Sequence, residues 1–277
     1  MRKKLLIILG FGVILVFLAL SIAQFTPEEI AEREKWEEFL KTADIVEEQQ
    51  LGSREAVSAP WILTLKKNDI SRNAVWKKPE GLVRGYLESW KWEVAAYRLD
   101  KYLELNMAPP TVEREFRGER GCCQLWVTAE MDLRKKAREK IETPSDKVYH
   151  WNNSIYLQRA FDNLIANVDR HQGNILITKD WRMILVDHSR SFGISEEFTT
   201  KLIYTEKHDQ GPMIMRKLPR AFVEKLKTFN FKLIKDVVGE YLTDKEIEAV
   251  LLRRDLILEE IDNLIEKHGE ADVLYSF

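Results

Sequence analysis

Cysteine is almost missing from this 277-residue chain: there are two, adjacent at Cys122 and Cys123. Neighbours in sequence cannot build a disulfide framework, and no Cys/His spacing suits structural zinc. The pair reads as two small buried residues on a strand. A surplus of either charge is missing too. Lys and Arg number 43 and Asp and Glu 45, a net charge of -2, which excludes the basic footprint of a nucleic-acid-binding protein. There is no internal repeat and no low-complexity tract. What is present is 45% apolar and 32% charged residues. That balance supports a sizeable core and excludes a disordered tail, a collagen-like chain and a polytopic membrane protein. At roughly 100–200 residues per domain, the length allows one large domain or two small lobes around one cleft.

One long apolar run stands apart. Residues 5–25 carry no charge, follow Arg2, Lys3 and Lys4, and precede acidic residues from Glu28. The run is close to the length that spans a bilayer, and Ser21-Ile22-Ala23 offers small residues where a signal peptidase reads. Residues 1–25 are therefore expected to be a signal peptide or a transmembrane anchor. The basic cluster stays cytoplasmic, which places the rest, membrane-anchored or secreted, on the non-cytoplasmic side. Without those three cations the rest holds 40 basic against 45 acidic residues, a charge of -5. A polybasic lipid-surface patch is not expected there.

Beyond residue 25 the patterning changes along the chain. Residues 28–50 are charged with apolar residues at helical spacing (Ile30, Trp36, Phe39, Leu40), and residues 26–44 are expected to form a connector helix. Short β-like runs at 61–65 and 73–77 flank a turn at 66–69. A helix is expected over 90–105, closed by Pro109-Pro110, then a strand at 123–127. A second helix is expected over 154–168, then a hairpin of 175–177 with 183–186. From Leu218 onward the pattern is amphipathic helix, with a start signal at Thr243-Asp244-Lys245-Glu246. Strands early and helices late predict an α+β fold of two lobes. Residues 45–130 form a small β-rich lobe and hinge, and 131–277 a larger helical lobe, preceded by the hydrophobic N-terminal helix.

The chemistry-bearing stretch is Asn167-Val168-Asp169-Arg170-His171-Gln172-Gly173-Asn174, followed by Val186-Asp187-His188-Ser189. Asp169 and Asn174 are five apart and Asp187 lies thirteen further on. Two carboxylates and an amide gathered by a loop and a hairpin are hard oxygen ligands suited to Mg²⁺ carrying phosphates. Protein kinases use this order: an Asp on the acceptor hydroxyl, then an Asn and a later Asp on metal. They also need a strand lysine on the phosphates and a helix glutamate to hold it. Lys77 ends the 73–77 strand facing the same side as Val75, and Glu93 opens the next helix. Asp162 and Arg170 read as supports for the loop, and His171 as a structural hydrogen-bonding residue.

Glu93-Val94-Ala95-Ala96-Tyr97-Arg98-Leu99-Asp100 with Ala108-Pro109-Pro110 resembles the corresponding helix of the secretory-pathway (Golgi casein kinase) family of atypical kinases. So do Asp169-Arg170-His171 and the stretch from Asp187 to Gly193. Gly173-Asn174 instead resembles the phosphatidylinositol 3-/4-kinase and HipA-like branches of the same superfamily. The resemblance covers roughly residues 45–192. It implies a kinase-like fold, ATP with Mg²⁺ or Mn²⁺ as cofactors, Lys77 on the phosphates with Glu93 as its partner, and Asp169 as the catalytic aspartate. Asn174 and Asp187 would hold metal, and adenine would sit near Gln124-Leu125-Trp126-Val127. The phosphate-covering loop would fall in 49–60, where only Gly52 and Ser53 are available. The implied activity is transfer of the γ-phosphate to a hydroxyl on a protein, a glycan or an inositol lipid. The alternatives are a membrane-tethered pseudokinase that binds nucleotide or acts as a scaffold, and an interaction module working through its C-terminal helices.

Overall fold

The computed structural model describes residues 25–52, 60–205, 213 and 215–276. The expected signal or anchor segment before Phe25, and Ser53 of the expected phosphate-covering loop, lie outside the described residues. No described helix is long and apolar enough to cross a membrane.

The chain begins with α1 (Pro27–Ala31) and α2 (Arg33–Thr42). Thr26 caps α1 in a reciprocal box with Glu29, and Pro27 sits where its missing N–H costs nothing. Trp36, Phe39 and Leu40 turn one face of α2 into the core. These helices do not connect separate parts. Arg33 meets Asp100 at 3.2 Å with both side chains buried, and Glu29 meets Arg72 at 3.2 Å. The helix expected over 26–44 is thus broken at Glu32, stops at Thr42 and is packed into the fold. Residues 44–50, read as part of the same charged helical stretch, form strand β1 (Asp44–Gln50) instead. β1 is an exposed edge strand whose side chains carry no alternation. It is held by backbone pairing, which side-chain patterning cannot reveal.

Next come β2 (Trp61–Lys67), β3 (Ile70–Lys77), β4 (Glu80–Val83), β5 (Tyr86–Ser89), α3 (Trp90–Leu103), β6 (Thr111–Phe116) and β7 (Glu119–Leu125). The main sheet runs β1-β2-β3-β7-β6, and β4 with β5 makes a separate hairpin. Its turn, Arg84-Gly85, has φ of +49° and +87°, the left-handed pair that suits a two-residue hairpin. The β2–β3 turn is two residues, Asn68-Asp69, so the strands run further than expected. Pleating sorts the sheet's residues. Leu63, Leu65, Ala74, Trp76 and Cys123 face a core shared with α2, whereas Cys122 joins the larger core under α3. Both cysteines are free and buried. Burial pushes the Cys123 thiol up to about 12 and the Cys122 thiol well above its ordinary value, away from the reactive thiolate form.

The remainder is β8 (Met131–Asp132), α4 (Leu133–Arg138), α5 (Val148–Ile165), β9 (Ile175–Ile177), β10 (Met183–Leu185), α6 (Glu196–Thr200), β11 (Leu218–Pro219), α7 (Arg220–Lys227), α8 (Phe231–Val238), α9 (Asp244–His268), α10 (Glu270–Val273) and β12 (Leu274–Tyr275). α5 starts six residues earlier than its pattern suggested and stops at Ile165, where Ala166 turns left-handed at φ +50°. α9 opens with the expected capping box of Thr243 and Glu246. Its Arg253 is 1% exposed, and Nε and Nη1 donate to the carbonyls of Leu164 and Gly193, each at 2.8 Å.

One glycine fixes how β7 lies on β3. A Cβ at Gly121 would stand 2.7 Å from the Lys77 carbonyl and 2.7 Å from the Trp76 ring. Gly121→Ala should therefore cost about 1–3 kcal/mol, read as a lower denaturant midpoint at unchanged slope.

Candidate functional site

Strand β3 delivers Lys77 from its last position, with Val75 on the same face. Across the sheet these pair with Cys122 and Gln124 of β7. Helix α3 is capped by Ser89 and places Glu93 in its first turn, wholly buried beneath the sheet. The Lys77 ammonium ion-pairs with Glu93 on one side and reaches Asp187 Oδ1 at 2.7 Å on the other. Burial works against the Lys77 charge, but Asp187 and then Glu93 more than offset it and hold its pKa above the ordinary lysine value. Burial likewise works against the Glu93 carboxylate. Lys77, with a contribution from His188, outweighs it and holds Glu93 well below the ordinary value. Both groups are charged at neutral pH. His188, itself fully buried, stands with Nδ1 3.5 Å from Glu93 Oε2.

The thirteen-residue interval from Asn174 to Asp187 has a simple structural cause. β9 and β10 form a short antiparallel hairpin, with Ile175 opposite Leu185, and the Val186 N–H donates to the Asn174 carbonyl at 3.1 Å. Loop and strand end are thereby sewn together. Arg170 completes the seam: Nη1 donates to the carbonyls of Asn174 (3.1 Å) and Val186 (2.6 Å). Its Nε and Nη2 grip Asp162 at 3.0 to 3.3 Å. The side chains of Arg170 and Asp162 are 1% and 0% exposed. Asn174 Nδ2 donates to the Asp169 carbonyl at 3.2 Å, which closes the loop on itself. His171 accepts from the Gly173 N–H at 3.0 Å, the structural role its position suggested. Asp187 adopts φ +61°, an uncommon conformation for a residue with a side chain, and Ser189 Oγ donates to its Oδ1 at 3.2 Å.

Two side chains that sequence spacing did not single out complete the cluster. Arg190 donates from Nε and Nη2 to Glu88 Oε1 at 2.8 and 2.6 Å, while Nη1 reaches Asp169 Oδ2 at 3.1 Å. Its guanidinium lies 4.4 Å from the Tyr86 ring centroid. Glu88 is buried on β5, so the β4–β5 hairpin is tied through Arg190 to Asp169. The pair spans 102 residues, beyond any local signal. Arg190 was visible only as part of the 187–193 stretch.

The structure brings together Lys77, Glu93 and Asp187, and joins Asp169 and Asn174 through one loop. It gives Gln124 and Trp126 different surroundings. Gln124 is buried and its Nε2 donates to Thr111 Oγ1 at 2.9 Å. The Trp126 N–H donates to the Asn73 carbonyl at 3.0 Å. The Gln124 amide nitrogen and the Trp126 backbone N–H thus each have a partner within the fold.

Among the described residues no group of three or more His, Cys, Asp or Glu could hold a metal ion by itself. Asp187 and Asn174 nonetheless suit a hard divalent ion. Asp187 Oδ1 is taken by Lys77 and Ser189, leaving Oδ2, and the Asn174 amide donates through nitrogen, leaving its oxygen. Two oxygen donors suffice for an ion that takes its remaining ligands from water and phosphate. The set fits an ion delivered with a nucleotide better than a resident one.

No family model matches the chain. Its fold is similar to that of hydra Fam20, solved with sugar, at a TM-score of 0.62 and 16% identity, covering 89% of this chain and 93% of that one. It is also similar to the Golgi casein kinase with Mn/ADP bound, at a TM-score of 0.57 and 17% identity, over 88% and 78% of the two chains. Among curated proteins, the mouse pseudokinase FAM20A is 29% identical over 143 residues, 46% of this chain. The match spans only 26% of that relative's length. The chain therefore has the α+β kinase-like fold of these structures, with its sheet in the N-terminal part and helices in the C-terminal part. The resemblance to secretory-pathway kinases read from the 93–110, 169–171 and 187–193 motifs holds at the level of fold.

Proposed function

We propose that this chain is an ATP-dependent phosphotransferase of the atypical-kinase type, with a hydroxyl-bearing acceptor. The observation that carries the reading is the Lys77 ammonium held between the buried Glu93 and Asp187, beside a loop that presents Asp169 and Asn174. Glu93 fixes Lys77 so that its charge meets nucleotide phosphates without further ordering. Asp187 and Asn174 would hold Mg²⁺ or Mn²⁺, which when bound neutralises phosphate charge. Asp169 keeps Oδ2 on Arg190, which leaves Oδ1 to orient an acceptor hydroxyl and take its proton. Residues 1–25, as signal peptide or anchor, would place this domain on the non-cytoplasmic side.

A second reading is a nucleotide-binding pseudokinase. It is favoured by the Arg190–Asp169 ion pair, which ties up half of the carboxylate, and by the partners that the Gln124 amide nitrogen and the Trp126 backbone N–H already have within the fold. Both readings need nucleotide to bind through Lys77. Lys77→Met should weaken ATP binding, measured calorimetrically with Mg²⁺ or Mn²⁺, by about 10- to 100-fold, the worth of a hydrogen bond between charged groups. Equal affinities in folded wild type and variant would remove the basis of both.

A further inference from the structure

Exposed apolar side chains collect beside the candidate site. Leu87 of β5, Val168 next to Asp169, and Ile194 after the 187–193 stretch are 60%, 46% and 54% exposed. They come from three separate parts of the chain, yet all three line one open cavity of about 1180 Å³. Scattered singly, such residues need no explanation, whereas a shared concave apolar surface marks a binding site.

The cavity continues the candidate site. Arg190, which holds Asp169 Oδ2, is part of its lining. The Val168 N–H donates to the Arg190 carbonyl at 3.4 Å, and the Ser89 N–H to the Ser189 carbonyl at 2.9 Å. The β4–β5 hairpin and the two loops are therefore fixed relative to one another. Phe198 of α6 adds to the wall by packing against Gly193, where a Cβ would collide with its ring.

The lining discriminates among hydroxyl acceptors. A phosphorylated lipid headgroup needs uncommitted cations, but Arg190 gives Nε and Nη2 to Glu88 and Nη1 to Asp169. Lys201 is left as a lining cation with no ion pair among the described residues, and Glu197 shares that lining. A sugar needs many hydrogen bonds, but Trp92 Nε1 already donates to Glu246 at 2.7 Å and the Tyr86 ring lies against the Arg190 guanidinium. Apolar surface is what the cavity offers most. Ser191, buried in the same lining, has a hydroxyl with no hydrogen-bond partner among the described residues, an unmatched polar group that the backbone of a bound chain can meet.

We infer that this cavity is a subsite for a polypeptide acceptor, taking a bulky apolar side chain close in sequence to the accepting hydroxyl, with Leu87 and Ile194 setting the preference. The inference rests on the phosphotransferase reading for its chemistry, whereas the binding preference needs no turnover. In the transfer the acceptor oxygen bonds to the γ-phosphorus, the bond from that phosphorus to the β-phosphate oxygen breaks, ADP leaves, and the hydroxyl proton passes to Asp169.

The test uses the full chain and synthetic peptides with one central serine, flanked by leucine, by glutamate or by glutamine at otherwise fixed positions. Turnover is read with ATP and Mg²⁺ or Mn²⁺, and calorimetric affinity with the serine replaced by alanine. Apolar pockets separate side chains by about 10- to 200-fold. The leucine peptide should therefore exceed both others by about 10-fold or more, in kcat/KM and in affinity. The double variant Leu87→Asn, Ile194→Asn should bring the peptides to within about three-fold of one another, at wild-type nucleotide affinity and melting temperature. Preference for the glutamate or glutamine peptide, or faster phosphorylation of a disaccharide or of phosphatidylinositol in vesicles, would overturn the inference and leave the phosphotransferase reading in place. Leucine preference in binding with no turnover would do the reverse, keeping the subsite and removing the phosphotransferase. A folded double variant that retains the preference, or absence of binding and turnover with every peptide, would also overturn the inference. The wild-type peptide comparison decides the matter even if the variant does not fold.

Discussion

Asp169→Asn should leave nucleotide affinity within about three-fold and lower phosphoryl transfer by about 10²–10⁴, the usual contribution of a general base. The substitution is nearly isosteric, and the amide oxygen can still accept from Arg190 Nη1, now 3.1 Å from Oδ2. The Glu88–Arg190 pairing and the β4–β5 hairpin should stay in place. What is lost is the free oxygen's capacity to take a proton. Turnover of radiolabelled ATP in the presence of Mg²⁺ or Mn²⁺, with calorimetric binding alongside, separates the two quantities. If both bind nucleotide and neither turns it over, the pseudokinase reading stands; equal, non-zero turnover in both would instead mean that Asp169 is not the base.

Arg170→Met should lower stability by about 3–5 kcal/mol, because it leaves the Asp162 carboxylate charged, buried and unpaired. At roughly 2–4 °C per kcal/mol for a chain of this size class, thermal unfolding should begin well below that of the wild type. Adding Asp162→Leu should recover most of the loss, since replacing both partners of a buried pair by apolar residues is often near neutral. Catalysis should not recover with it. Arg170 also holds the Asn174 and Val186 carbonyls, and no apolar pair restores those bonds. A double variant that regains both stability and turnover would reduce Arg170 to a structural filler.

The parts of the site that could be read from the sequence are those set by short-range geometry. Alternation along β3 put Lys77 and Val75 on one face, and the first turn of α3 put Glu93 beneath them. The tight β9–β10 hairpin made the Asn174 to Asp187 interval meaningful. Glu88 and Arg190 could not be read in this way, because they meet across 102 residues through a hairpin whose strands are four residues each. β1 was misread because its side chains face solvent and only its backbone is satisfied. β6 was missed because Glu113, Arg114 and Glu115 break the apolar alternation. For Gln124 the strand was foreseeable, while the partner of its amide depended on register against Thr111; Trp126, read as part of the same strand, lies just beyond its end at Leu125.

Arg253 has a consequence for how the molecule comes apart. It is a buried cation whose hydrogen-bond partners are carbonyls; burial holds its pKa down to about 10, and its two bonds join α9 to the end of α5 and to Gly193. The last long helix and the segment following Asp187 are thereby one cooperative unit. Native-state amide exchange over 190–194 should share the opening free energy of α9 and not that of the β1–β2 edge. A nick in α9 would then loosen the segment that follows Asp187 while the sheet remained folded, so the remote C-terminal helix acts as a latch on that segment.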